Sequence, residues 1–223
     1  MTDPVSIVVE SGEQVSGLLQ APSDALACYV LAHGAGAGMT HAFMAAVADG
    51  LAERSVATLR YQFPYMERGS RRPDTPKLAQ ATVRAAVAEA SRRMPGTPLI
   101  AGGKSFGGRM TSQAQAALPL PGVLGLAFIG FPLHPAGKPS DDRADHLAQV
   151  SVPMLFLQGT RDELASLELL QPVVDRLQAL ATLQLFADGD HSFHVPARSG
   201  RKDSQVMAEL LDVLAKWIGS VVR

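Results

Sequence analysis

Short apolar and β-branched runs alternate with amphipathic stretches at helical spacing along almost the whole chain, and that alternation leaves few folds open. A strand that hands over to a helix and then to another strand builds βα units, which pack as a mostly parallel sheet with helices on its faces. The strand candidates begin with Ser6 to Glu10 and Val15 to Gln20, an antiparallel hairpin turning at Ser11-Gly12-Glu13. Six more follow: Cys28 to Ala32, Val56 to Tyr61, Pro98 to Ala101, Leu124 to Ile129, Met154 to Gln158 and Leu183 to Phe186. Between them, His41 to Arg54 sets Met44, Val47, Ala48 and Leu51 on one helical face, and Lys77 to Arg93 does the same with Val83, Ala86, Val87 and Ala90. Thr75-Pro76 supplies a cap followed by proline at the first helical position. A last helix from Asp203-Ser204 carries Met207, Leu210, Leu211, Leu214, Ile218 and Val221 and is expected to dock on the sheet.

At 223 residues and 47% hydrophobic, the chain suits one domain, residues 1–223, with an ample core. Lysine and arginine (20) nearly balance aspartate and glutamate (21), so the net charge of -1 makes no global case for nucleic acid or an anionic membrane as partner. The start, Met1-Thr2-Asp3-Pro4, lacks a charged segment followed by an apolar one, and no apolar run nears the roughly 18 residues of a spanning helix. A cytoplasmic protein is expected. The single cysteine, Cys28, excludes an internal disulfide and a multi-cysteine zinc site, and it reads as a small core residue. No metal or cofactor is called for.

Gly103-Lys104-Ser105-Phe106-Gly107 places a G-x-S-x-G pentapeptide between an apolar run and the helix-compatible stretch Gly107 to Ala117. That is the arrangement of a nucleophile elbow, in which a sharp strand-to-helix turn exposes a serine and needs small neighbours. A serine hydroxyl is a poor nucleophile without a base. His191 is the best placed of six histidines, on a glycine-containing loop after the last strand, with His194 next and His134 and His146 in the proline-rich segment. The base needs a carboxylate to fix its tautomer, and Asp162 stands just past the buried run Met154 to Gln158. Glu163 would point elsewhere, and Asp190 is too near His191 in sequence to approach its ring from the required side.

A tetrahedral oxyanion needs two preorganised donors. Phe106 N–H is the first candidate. The second is expected from His33-Gly34-Ala35-Gly36-Ala37-Gly38, with Ala35 favoured over Gly36, while His33 shapes the loop by hydrogen bonding. The phosphate-binding alternatives fail on spacing: a P-loop needs glycine where Pro98 stands, and a dinucleotide fingerprint from Gly34 needs glycine where Met39 stands.

With these residues assembled, the chain resembles the α/β-hydrolase superfamily over nearly its whole length, in the chain order Ser, Asp, His. Leu31-Ala32-His33-Gly34-Ala35-Gly36, Phe63-Pro64-Tyr65-Met66, Gly103 to Arg109, Pro132 to Pro139 and Gln158-Gly159-Thr160-Arg161-Asp162 look like its dienelactone-hydrolase-like branch. That branch includes a testis-expressed protein and a subunit of a histone-acetyltransferase complex. The resemblance implies an α/β-hydrolase fold: a mostly parallel eight-stranded sheet, second strand antiparallel, flanked by helices, with Ser105, Asp162 and His191 as the triad. Dienelactone hydrolase proper uses a cysteine nucleophile, so its lactone specificity does not carry over to a serine elbow.

The segment Gln62 to Thr75 offers Phe63, Tyr65 and Met66 as an acyl pocket, then Arg68, Arg71 and Arg72, which suit surface solvation better than binding an anion at the mouth. Lys104, a candidate substrate-binding residue with Phe63, Tyr65 and Met66, either raises the local positive potential and favours anionic substrates or supports the turn through packing or an ion pair. Between Phe131 and Ser151 there is room for a helix at Arg143 to Gln149 but not for a lid domain. The expected function is ester or thioester hydrolysis on small soluble substrates through an acyl-enzyme; the alternative is a noncatalytic binding or scaffold protein that keeps the fold.

Overall fold

The protein is described by a computed structural model covering residues 2–10 and 12–223. Ser11 of the expected turn and Met1 lie outside the described residues. The strands are β1 (Thr2–Val8), β2 (Gln14–Gln20), β3 (Ala27–Ala32), β4 (Val56–Tyr61), β5 (Leu99–Lys104), β6 (Val123–Ile129), β7 (Met154–Gly159) and β8 (Ala181–Phe186). They form one eight-stranded sheet in the order β1-β2-β4-β3-β5-β6-β7-β8. β2 runs antiparallel to both its neighbours, and the pairs from β4 to β8 are parallel. The sheet is therefore mixed, with one reversed strand.

Burial explains why the strands read as they do. Every residue of β3, β4 and β7 is buried, the signature of parallel strands covered on both faces, whereas edge strand β1 alternates toward its end. The first strand lies earlier than expected, at Thr2–Val8, because pairing with β2 runs from Thr2 opposite Gln20 to Val8 opposite Gln14. Pro4 is tolerated there because an edge strand needs hydrogen bonds on one side only.

The helices are α1 (Ala42–Ala52), the single turn α2 (Pro64–Glu67), α3 (Pro76–Arg93), α4 (Phe106–Ala117), α5 (Leu167–Leu177) and α6 (Asp203–Val221). Thr75 caps α3 by accepting the Leu78 N–H, as its sequence suggested. Alternate residues along β3 sort into two apolar clusters, one on each face. Cys28 and Val30 pack with Val83 and Ala86 of α3 and Met110 of α4, whereas Tyr29 and Leu31 pack with Val47 of α1 and Leu210 and Leu214 of α6. In α6 the stripe also includes Val206, and Met207 and Val221 lie at its half-buried margin. Between β6 and β7 only a 3₁₀ segment, Asp142–Gln149, is inserted, so no lid domain covers the sheet. Among the described residues no helix is long and apolar enough to cross a membrane.

Leu214 is fully buried in the α6 interface. Leu214→Ala is expected to lower unfolding free energy by about 2–5 kcal/mol in urea titrations. Lys216→Ala, on the exposed face of the same helix, should change it by less than about 0.5 kcal/mol.

Candidate active site

β5 ends at Lys104, α4 begins at Phe106, and Ser105 alone makes the turn at φ 49°, ψ −117°. A non-glycine residue there carries strain of about 1–3 kcal/mol. Two flanking glycines let the backbones close in around it. A Cβ on Gly103, itself at φ +150°, would sit 2.2 Å from the Ala32 carbonyl oxygen, and one on Gly107 would sit 2.5 Å from that of His33. The Ser105 N–H is anchored on the Ile129 carbonyl, and its hydroxyl caps no helix N–H but faces the end of β8.

There the structure brings the three expected side chains together. Ser105 Oγ lies 2.8 Å from His191 Nε2, and His191 Nδ1 lies 2.7 Å from Asp162 Oδ2. With Nδ1–H donating to the carboxylate, Nε2 is left to accept the serine proton. The Asp162 side chain is wholly buried and fully engaged: Oδ2 also accepts Gln158 Nε2–H, and Oδ1 accepts the Leu164 N–H at 2.8 Å. Gln158 is itself fixed, accepting the Phe131 N–H at 2.9 Å. The His191 loop is shaped by Asp190, whose carboxylate accepts the N–H groups of Ser192 and His194, so this acid serves the backbone and not the ring. His194 pairs instead with Asp203 at 2.7 Å.

The other histidines have structural partners. His33 donates from Nδ1 to the Gly34 carbonyl and accepts the Phe63 N–H at Nε2, which shapes the glycine loop as expected. Burial lowers its pKa, against the opposing pull of the Gly34 bond and Asp74. His134 accepts the Ser166 N–H, and His146 meets Ser112 Oγ at 2.7 Å. Burial, then Arg109, pushes the His146 pKa down to about 4.

A cavity of about 510 Å³ opens over Ser105, lined chiefly by Ala35, Phe43, Met44, Lys104, Leu164 and His191. The Phe106 N–H, at the first turn of α4, has no partner within the helix, and Ala35 faces the cavity from the opposite loop. Gly36 takes a different part. At φ +76° it lies outside the lining, and its N–H meets the Tyr65 hydroxyl, which also reaches the Gly34 carbonyl.

The acyl-pocket assignment of Phe63, Tyr65 and Met66 is not what the structure shows. Phe63 and Tyr65 are buried against His33 and Phe106, with Phe63 4.9 Å from the His33 ring and 5.3 Å from the Phe106 ring, and Met66 packs on the core beside them. Their aromatic bulk backs the glycine loop and the start of α4 and does not face the cavity. The apolar wall comes from Phe43 and Met44 at the start of α1 and from Leu164. Met44's sequence signal was only a helical face, which the core also demands, and Phe43 and Leu164 carried no signal of their own. Arg68 is held in surface ion pairs with Glu13 and Asp74, and Arg71 and Arg72 are exposed. Lys104 does line the cavity. Its Nζ donates to the His191 carbonyl and lies 5.9 and 5.7 Å from the Phe43 and Phe193 ring centres. Desolvation pulls its pKa down to about 8, against the attraction of Asp162 and Asp190.

Comparison with known proteins agrees with this architecture. The family model described as "Alpha/beta hydrolase domain" matches residues 25–219. Dienelactone hydrolase from Anabaena variabilis superposes with a TM-score of 0.81 at 20% identity, covering 100% of this chain and 99% of that one. The esterase domain of a Rhodothermus marinus protein gives 0.77 at 17% identity with 100% of both chains covered. A lidless serine hydrolase from Xanthomonas campestris gives 0.74 at 21% identity, covering 97% and 94%. At these identities the likeness is one of fold.

The buried histidines predict a pH response. His146 takes a proton near 6.5 when unfolded but only near 4 when folded, so the unfolded state binds more protons between those values and stability falls as pH drops through that window. His33 acts in the same direction. Urea midpoints should fall from neutral pH toward 4, and His146→Gln should flatten part of that slope; an unchanged slope would assign it to other groups.

Proposed function

Because this chain belongs to the α/β-hydrolase family, we propose that it is a serine hydrolase that cleaves carboxylic esters or thioesters of small substrates through an acyl-enzyme. The observation that carries the reading is the continuous hydrogen-bond chain from Asp162 through His191 to Ser105, ending at the floor of an open apolar cavity. In this reading Ser105 Oγ attacks the carbonyl carbon while its proton passes to His191 Nε2. Asp162 holds the imidazole in the accepting tautomer and stabilises the imidazolium. The amides of Phe106 and Ala35 receive the oxyanion, at about 3–4 kcal/mol of barrier per donor. His191 then returns the proton to the leaving alcohol or thiol, and a water activated by the same ring releases the acid.

The size of the cavity and the absence of a lid favour short acyl groups, with Phe43, Met44 and Leu164 as the apolar wall. The lidless Xanthomonas campestris serine hydrolase and the Rhodothermus marinus esterase domain share the fold on which this reading stands.

A fluorophosphonate probe is expected to label the wild type and not Ser105→Ala; a folded wild type that takes no label would return the protein to the noncatalytic reading. Asp162→Asn should lower kcat on a p-nitrophenyl ester by about 10⁴-fold, since an amide favours the wrong imidazole tautomer. Across an acyl series, kcat/KM should peak at short chains. A preference for long chains with a jump at the micellar threshold would contradict the open-site reading.

A further inference from the structure

Acyl transfer by a triad and an oxyanion hole requires no cation beside the nucleophile, yet Lys104 precedes Ser105 and spends a desolvated charge there. Its stem passes Gly34, where a Cβ would lie 3.5 Å from its Cγ, and its Nζ crosses over Gly130, where a Cβ would lie 2.9 Å from it. The ammonium ends on the His191 carbonyl, beside the stacked rings of Phe43 and Phe193. Among the described residues, no other backbone hydrogen bond holds His191, although its loop is tied on both sides by Asp190 and by the His194–Asp203 pair. The residue next to the nucleophile therefore grips the residue that must serve it.

We propose that Lys104 is a positioning residue: by holding the His191 carbonyl beside the Phe43 and Phe193 rings, its ammonium keeps the imidazole in register with Ser105. This rests on the serine-hydrolase reading. The charged and titratable groups facing the ammonium are Asp162 at the end of β7, Asp190 and His191 on the loop after β8, and His41 and His194 at the cavity rim. The two carboxylates favour the protonated amine, and burial opposes it more strongly. The charged grip is complete below about pH 8 and weakens as pH rises through that value. An alkaline fall in activity follows.

The test follows the rate of fluorophosphonate labelling of Ser105 across neutral and alkaline pH in the wild type, Lys104→Met and Lys104→Cys. Lys104→Met should label about 10–100-fold more slowly at neutral pH, the cost of a misplaced catalytic group, and should lose the alkaline fall. It should melt no lower than the wild type, because the unfolded lysine keeps its proton to about 10.5 and the folded one only to about 8, which penalises the native state at neutral pH. Treating Lys104→Cys with 2-bromoethylamine rebuilds an ammonium at nearly the same reach and should restore most of the rate. The native thiol does not compete, since burial pushes Cys28 up to about 12. Lys104→Met labelling at the wild-type rate with the alkaline fall intact would overturn the proposal while leaving the hydrolase reading standing. A slow Lys104→Cys protein that aminoethylation does not rescue would also overturn it, since the charge would then not be what positions the base. A wild type that never labels at Ser105 fails earlier, and takes both readings with it.

Discussion

Backbone closeness at the elbow is the constraint on which the rest of the site depends. Ser105 adopts a strained conformation because β5, β3 and α4 converge there, and they converge because Gly103 and Gly107 carry no Cβ to hold the Ala32 and His33 carbonyls away. The strain is small against the burial of the surrounding sheet, in which β3, β4 and β7 expose no residue to solvent. The same geometry presents Ser105 to the cavity and leaves the Phe106 amide at the first turn of α4. A packing solution and a chemical one thus coincide in five residues.

Polar satisfaction carries the site outward from that point. A buried carboxylate without donors would be costly, and Asp162 accepts from His191, Gln158 and the Leu164 amide. Gln158 in turn fixes the chain after β6 through Phe131. The carbonyl of His191 is held by Lys104, a half-buried cation attracted by Asp162 and Asp190. His191 therefore lies in a local field set by two acids and one amine, and its neighbours serve both stability and placement.

Behind the glycine loop, His33, Phe63, Tyr65 and Phe106 form an aromatic cluster without water access. The segment that looked like a substrate pocket packs behind the glycine loop and the start of α4. Phe63 and Tyr65 were read as pocket residues because aromatic side chains suit either role, and linear order cannot say which face of a loop turns inward. Met44 was read as core for the converse reason, and Phe43 drew no reading. Met44 belongs to the apolar face of α1 and also borders the cavity. Helix α5 escaped notice because Pro172 interrupts its pattern, and α2 is one turn long.

Periodicity and punctuation alone determined the α/β class, the eight strands, the principal helices and the order of serine, acid and histidine, because each depends on near neighbours in the chain: alternation, caps and glycine spacing are local signals. Only the tertiary structure decided which groups touch across 86 and 29 residues of chain to join His191 with Ser105 and with Asp162. It also decided that Gly36 meets Tyr65 and that Lys104 ends on the His191 carbonyl. Such contacts depend on strand order and on which face of each loop is buried, quantities set by packing the whole sheet.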